Sequence, residues 1–310
     1  MFATYDKKRK DITFCTMLFE MPNSGNLAKL KNDGRKFETF YLPSLKYLIE
    51  TFERVALWCD QKTAKYLKQH GLDKYVDMRI MKLSDLPHWS EREESLKIIE
   101  SMKNYVGYFL HRRTPAMWVD YLPLMFAKAA IIDWAAQSNK FNSKYFMWID
   151  AGAFSPAYGN SPMWNNWNAH IDARPKRVRM LIQPTMGKSR PHYVPRFIYD
   201  LFRTKTEDIP PATRNTLIKQ SLKNIAMTNA DYDVPGGCFI VPQKLCHDFH
   251  TAFDRTLKLM NRHGLTCVDQ GVFQAMMKLD IDNMFELCYT NSYRGMYAAV
   301  AKKDPDHILE

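Results

Sequence analysis

The architecture of this chain turns on ten residues, YFMWIDAGAF, running from Tyr145 to Phe154. The first five, Tyr145 to Ile149, are aromatic or apolar, which suits a strand buried on both faces. The run stops at a bare carboxylate, Asp150, and the small residues Ala151 and Gly152 then mark a turn. A lone aspartate at the tip of a buried strand has two readings. It caps the adjoining loop, or it is placed to meet a ligand beyond the carboxyl end of the strand.

Upstream, DITFCTML (11–18) reads as a first buried strand. Phe37, Phe40, Tyr41, Leu45 and Leu48 then recur at helical spacing. VALWCD (55–60) is a second strand, followed by a short helix over 61–70 that Gly71 closes. DMRIMKL (77–83) is a third strand. Residues 91–111 and 116–137 read as two helices, the second apolar but carrying Asp120, Lys128 and Asp133. Downstream, 155–175 is a loop rich in Pro, Asn and Trp, 178–184 a strand, and 215–227 a helix. GGCFIVP (236–242) is a strand opened by two glycines, 243–264 a long amphipathic helix, 269–279 another helix and 284–289 a last strand. Strands alternating with helices predict an α/β fold with a mixed, mostly parallel sheet flanked by helices. No composition break divides the chain, so a single domain over 1–310 is expected.

With 310 residues, 46% hydrophobic and 13% aromatic, the chain is too apolar to be disordered. Its net charge of +11 points to an anionic partner (nucleic acid, a membrane surface or a phosphorylated ligand) or simply to a soluble basic surface. The basic residues are scattered: KKRK at 7–10, RPKRVR at 174–179 and the pair Arg112–Arg113 are the densest runs. The six cysteines, at 15, 59, 238, 246, 267 and 288, include no CxxC pair, which argues against a zinc knuckle. Free core thiols in a reduced, cytoplasmic protein are expected. The first residues lack the apolar core of a signal peptide, and no run of 18 apolar residues occurs, so no membrane span is expected.

A strand-end carboxylate such as Asp150 can hold a hard divalent cation, and small neighbours let a phosphate approach closely. YFMWIDAGAF resembles the metal-site strand of glycosyltransferases with the GT-A fold. There a hydrophobic strand ends in a D-x-D triplet that binds Mn²⁺ or Mg²⁺, and the metal holds the diphosphate of a nucleotide sugar. Here the triplet is Trp148-Ile149-Asp150, so the first Asp is missing and the last is kept. The form W-I-D-A-G resembles the HtrL/YibB-like family of bacterial glycosyltransferases, and related enzymes of giant algal viruses. GGCFIV (236–241) is similar to the glycine-started strand under the acceptor site, and VDQGVF (268–273) to the D-Q pair that opens a late helix near the reacting sugar. The Lys-containing helix before the metal strand also matches, and the order of all these segments is kept.

The resemblance implies sugar transfer from a nucleoside diphosphate sugar, UDP-sugar first, to a glycan or glycolipid acceptor. Asp150 would be the protein ligand to the metal, and Trp148, standing where the first Asp of the triplet is missing, would lie beside the bound nucleotide. Asp269 would be the catalytic carboxylate, with helix N-cap as its plain structural alternative. Thr16, at the end of the first strand, would face the nucleotide. Arg112, Arg113 and Lys128 would reach phosphate, or else be solvated surface charges. Trp164 and Trp167 would offer rings to the acceptor or anchor their loop, with Gly236, Gly237 and Gln270 beside it. His247, His250 and His263 read as ordinary helix residues, and His307 falls in a polar tail.

Three rival readings stand beside this. A phosphotransferase with a strand-end aspartyl nucleophile would need an acid where Trp148 stands. A nucleic-acid-binding protein would need a basic stripe interleaved with exposed aromatics. A non-catalytic domain that binds nucleotide sugar is compatible with the incomplete triplet.

Overall fold

The computed structural model describes residues 11–21, 36–101, 119–154, 175–184, 232–233, 236–262, 268–278 and 284–289. Strands β1 (Ile12–Leu18), β2 (Val55–Cys59), β3 (Val76–Ile80) and β4 (Tyr145–Ile149) run parallel, in the order β3-β2-β1-β4. Strands β5 (Val178–Pro184), β6 (Tyr232–Asp233), β7 (Cys238–Pro242) and β8 (Phe285–Tyr289) extend the same eight-stranded sheet beyond β4. β7 lies antiparallel to both β4 and β5, β6 is antiparallel to β5, and β8 is parallel to β5. The expected α/β fold with a mixed sheet is therefore present: β1–β4 form its larger parallel part, and β5 with β8 a second parallel pair.

The reversal of β7 brings its amino-terminal end to the edge where β4 ends. Ile149 pairs with Cys238, and the Asp150 N–H donates to the Gly237 carbonyl at 3.1 Å. The two glycines expected to open a strand thus form the turn just before it, side by side with Asp150.

Side-chain alternation along the strands builds two cores, one on each face. Phe146 and Trp148 of β4 join Cys15 and Met17 of β1 on one face. Helices α3 (Arg92–Ser101), α4 (Leu122–Phe126), α5 (Lys128–Ser138), α6 (Cys246–Arg262) and α7 (Asp269–Lys278) contribute to that core. Met147 and Ile149 point the other way, among Leu45, Leu48 and Ile49 of α1 (Leu42–Phe52) and Leu67 of α2 (Gln61–Gln69). Each such apolar side chain contributes about 1.5–3 kcal/mol on burial. Cys15, Cys59, Cys238 and Cys246 are buried free thiols, as expected.

Two strand ends carry carboxylates, and the structure treats them differently. Asp60, after β2, is the N-cap of α2: its Oδ1 accepts from Thr63 N at 2.7 Å, and its Oδ2 from Glu20 N at 2.5 Å. Both oxygens are taken up by the backbone. The helix expected over 116–137 begins, within the described residues, after a single 3₁₀ turn at Val119–Tyr121. Pro123 fits the first turn of α4, and the path is interrupted at Ala127 before α5 begins. The helix expected over 215–227 and the loop at 155–174 lie outside the described residues.

Candidate active site

Lys128 is the first residue of α5, on the face that Trp148 and Asp150 share. Its ammonium is buried and meets three acceptors. The Gly236 carbonyl is 2.9 Å away, Asp269 Oδ2 2.8 Å and Asp150 Oδ1 3.3 Å. The ring of Trp148 closes the fourth side, with its centroid 5.2 Å from Nζ. An ammonium carries three N–H donors and no acceptor; it donates to the Gly236 carbonyl and pairs in charge with both carboxylates. Burial by itself would lower the Lys128 pKa, but Asp150 and then Asp269 outweigh it and push the group up. The cation is held permanently.

The two carboxylates are not equivalent. The side chain of Asp150 is 41% exposed, whereas that of Asp269 is 1% exposed. Trp148 Nε1 donates to Asp150 Oδ1 at 2.9 Å, a contact made possible because residues two apart on a strand share a face. Asp269 opens α7, yet its carboxylate accepts no backbone N–H; Oδ1 has no hydrogen-bond partner among the described residues. The N-cap reading of Asp269 is therefore corrected: the side chain turns to Lys128 and the site. Gly236 is required by this packing, because a Cβ there would stand 2.4 Å from Asp269 Oδ2 and 3.1 Å from Gln270 Cγ.

Other expectations need adjustment. Thr16 does not end β1, which continues to Leu18; its hydroxyl is fully buried two residues inside the strand. Ala151 is buried, and a Cβ on Gly152 would meet Phe40 Cε1 at 2.8 Å and Tyr41 Cε1 at 3.0 Å. The small residues after Asp150 thus make room for the rings of Phe40 and Tyr41, in the turn just before α1. His247 and His250 are not ordinary helix residues: both direct Nδ1 at Asp133 Oδ2, at 3.2 and 2.8 Å. Arg112, Arg113, Trp164, Trp167, His263 and His307 lie outside the described residues.

Sequence reasoning missed Tyr121, which sits within electrostatic reach of Tyr41, Asp150, Lys128 and Asp269. Burial first, then Tyr41 and Asp150, pushes its hydroxyl above the ordinary tyrosine range. The only sequence signal was its place in the apolar helical run ahead of Lys128.

The divalent ion implied by the D-x-D resemblance can be tested against this donor set. Among the described residues there is no group of three or more His, Cys, Asp or Glu able to hold a metal. One oxygen of Asp150 is committed to Trp148 and Lys128, and Asp269 is committed to Lys128. The outer oxygen of Asp150 suits a hard cation as one ligand among several, with the rest supplied by a bound diphosphate and water. No described helix is long and apolar enough to cross a membrane.

No protein-family profile matches the chain, and no curated protein sequence matches it significantly. Among solved structures it is similar to the core-mannan synthase A (CmsA/Ktr4) of Aspergillus fumigatus in its Mn/GDP form. That similarity has a TM-score of 0.48 at 9% identity, over 90% of this chain and 73% of that one. The mannosyltransferase Ktr4p of S. cerevisiae in complex with GDP gives 0.43 at 10% identity, over 93% and 72%. Mouse xyloside xylosyltransferase 1 gives 0.36 at 10%, over 89% and 84%. At such identities and scores, function has to be carried by the side chains of the site.

Proposed function

We propose that this chain is a glycosyltransferase that moves a sugar from a nucleoside diphosphate sugar, UDP-sugar first, to a glycan or glycolipid acceptor. One observation carries the reading. At the carboxyl end of β4 a half-exposed carboxylate, Asp150, stands in front of a buried one, Asp269, and a single buried ammonium holds both. This is the edge of an α/β sheet at which ligands bind. The order of motifs, which resembles that of GT-A glycosyltransferases, supports the same conclusion.

In this reading Asp150 meets the donor. It would hold a Mn²⁺ or Mg²⁺ ion through its outer oxygen. When bound, that ion supplies charge neutralisation for the departing diphosphate. Trp148 and Lys128 fix the inner oxygen, so the outer one keeps its direction. Lys128 therefore acts as a positioning residue for both carboxylates, in place of the phosphate contact expected of it. Asp269 presents Oδ1, which has no partner among the described residues, to accept the proton of the acceptor hydroxyl. Gly236, Gly237 and Gln270 line the same edge, where the acceptor would approach. Trp148 leaves no acid at the first triplet position, which argues against the phosphotransferase reading.

Calorimetric titration of UDP, with Mn²⁺ and then with EDTA, tests this on wild type and Asp150→Ala. Metal-dependent binding that disappears in the variant supports the reading. No binding of UDP or another nucleoside diphosphate under either condition refutes it.

A further inference from the structure

Away from the site, a chain of alternating carboxylates and imidazoles crosses the helical layer. His88 Nδ1 lies 2.9 Å from Glu91 Oε2, and His88 Nε2 lies 3.0 Å from Asp254 Oδ1 on α6. The other oxygen of Asp254 is 3.6 Å from His250 Nε2, one turn earlier on α6. His250 Nδ1 in turn meets Asp133 Oδ2 of α5 at 2.8 Å, where His247 Nδ1 also arrives. Gln137 adds a further contact to Asp133, at 3.0 Å.

Carboxylates accept hydrogen bonds and cannot donate them when ionised, so an imidazole lodged between two of them is satisfied only as the doubly protonated cation. That holds for His88, whose side chain is only 5% exposed. Its backbone adds to the case. At φ 63 it occupies the left-handed region, which costs a non-glycine residue on the order of 1 kcal/mol and persists where the surroundings impose it. The groups facing His88 are Glu91 from its own turn, Asp254 from α6 and the uncharged ring of Phe126 from α4, at 6.1 Å. Those facing His250 are Asp133 from α5 and Asp254 from its own helix, and Lys258 adds a positive charge near Asp254.

We infer that His88, Asp254, His250 and Asp133 form a proton-dependent latch that fastens the turn at 86–91 and helix α5 to helix α6. The latch is closed while His88 is charged and opens when that ring loses its proton. It bears on the elements beside Lys128 and Tyr121, because Lys128 begins α5 and Tyr121 immediately precedes α4, which ends at Phe126. The inference is independent of the proposed transferase activity.

The direction of the pH effect comes from the groups themselves. Burial lowers the His88 pKa, but the hydrogen bonds to Asp254 and Glu91 outweigh it, so the net shift is upward. A raised histidine contributes fully below its unfolded value of about 6.5, and the contribution is lost as pH rises through the folded value. Burial raises Asp133 and Asp254, yet hydrogen bonds from His250 and His88 respectively bring each below its usual value. Their contribution is present above about pH 4 and is lost as pH falls through the lowered values. The latch is therefore tightest between about pH 4 and 6.5 and opens on the alkaline side.

The test is hydrogen exchange by mass spectrometry with thermal unfolding at pH 6.0 and 8.5, on wild type, His88→Gln and Asp254→Asn. Protection factors over 86–91 and 246–254 should fall roughly tenfold in wild type after correction for intrinsic exchange, with Tm lower by about 3 °C. Both variants should begin with the reduced protection and show a flatter pH dependence. Equal protection of wild type at the two pH values overturns the inference. So does a variant with the full wild-type pH slope. Should either variant fail to fold, the wild-type exchange data decide alone.

Discussion

The indole of Trp148 and the carboxylate of Asp150 are hydrogen-bonded to each other, Nε1 to Oδ1 at 2.9 Å, on one face of one strand. A D-x-D triplet would place two acids there, and this chain places a donor and an acid. The donor removes one oxygen of Asp150 from solvent and gives the other a fixed direction. Replacing Trp148 by Phe keeps a ring stacked near Phe239 but deletes the N–H. A hydrogen bond to a charged group contributes about 1.5–3 kcal/mol. Trp148→Phe should lose stability of that order in urea denaturation, with the far-UV spectrum unchanged. A loss below about 0.5 kcal/mol would mean that Asp150 does not depend on the indole.

Lys128 is the larger commitment. Removing one partner of a buried ion pair leaves uncompensated charge, at a cost of about 3–5 kcal/mol. Lys128→Met leaves two carboxylates and the Gly236 carbonyl facing an apolar chain. The single variant should be destabilised by that amount, and Lys128→Met with Asp269→Asn should recover part of it. A double-mutant cycle on chemical denaturation checks this, and strictly additive losses would contradict the shared cluster.

Much of this was legible in the chain. The strand of Tyr145–Ile149, its carboxylate, the strand that follows the two glycines and the D-Q helix could be read from apolar runs and small-residue punctuation, because those signals are local. Non-local pairing was hidden. Nothing along the sequence says that β7 runs against β4, and that reversal is what brings the Gly236–Gly237 turn to Asp150 and Lys128. A lysine in an apolar helical run reads equally well as a snorkelling surface charge. The two strand-end aspartates, Asp60 and Asp150, look alike in sequence. They differ because an N–H three residues on is available to Asp60, whereas Asp150 is followed by a turn packed on Phe40 and Tyr41. The aspartate–histidine contacts were missed for the same reason: Asp133 is more than a hundred residues from His247.

Gly236 offers a probe that leaves every charge in place. A methyl group at this position would overlap Asp269 Oδ2, so the carboxylate must move away from Nζ or the turn must open. Overpacking of this kind costs about 1–3 kcal/mol. Gly236→Ala should lower stability within that range. If the transferase reading holds, it should also reduce turnover more than donor affinity, since Asp150 is left untouched. Equal losses in both quantities would place Gly236 in the donor site instead.

The buried thiols test the integrity of the same sheet edge. Burial pushes Cys15 and Cys238 well above the ordinary thiol range, and Cys59 up to about 12. Asp150 adds to the shift at Cys238, as the second cause after burial. Thiolate is the reactive form, so at pH 8 these groups should resist alkylation in the native protein and react once it is unfolded. Peptide mapping after brief iodoacetamide treatment reads this directly. Because burial comes first at Cys238, Asp150→Asn should leave its labelling slow. Rapid native labelling of Cys238 in either protein would mean that the β4–β7 edge opens on the timescale of the reaction, and that the ammonium-bridged carboxylates are not held as one unit.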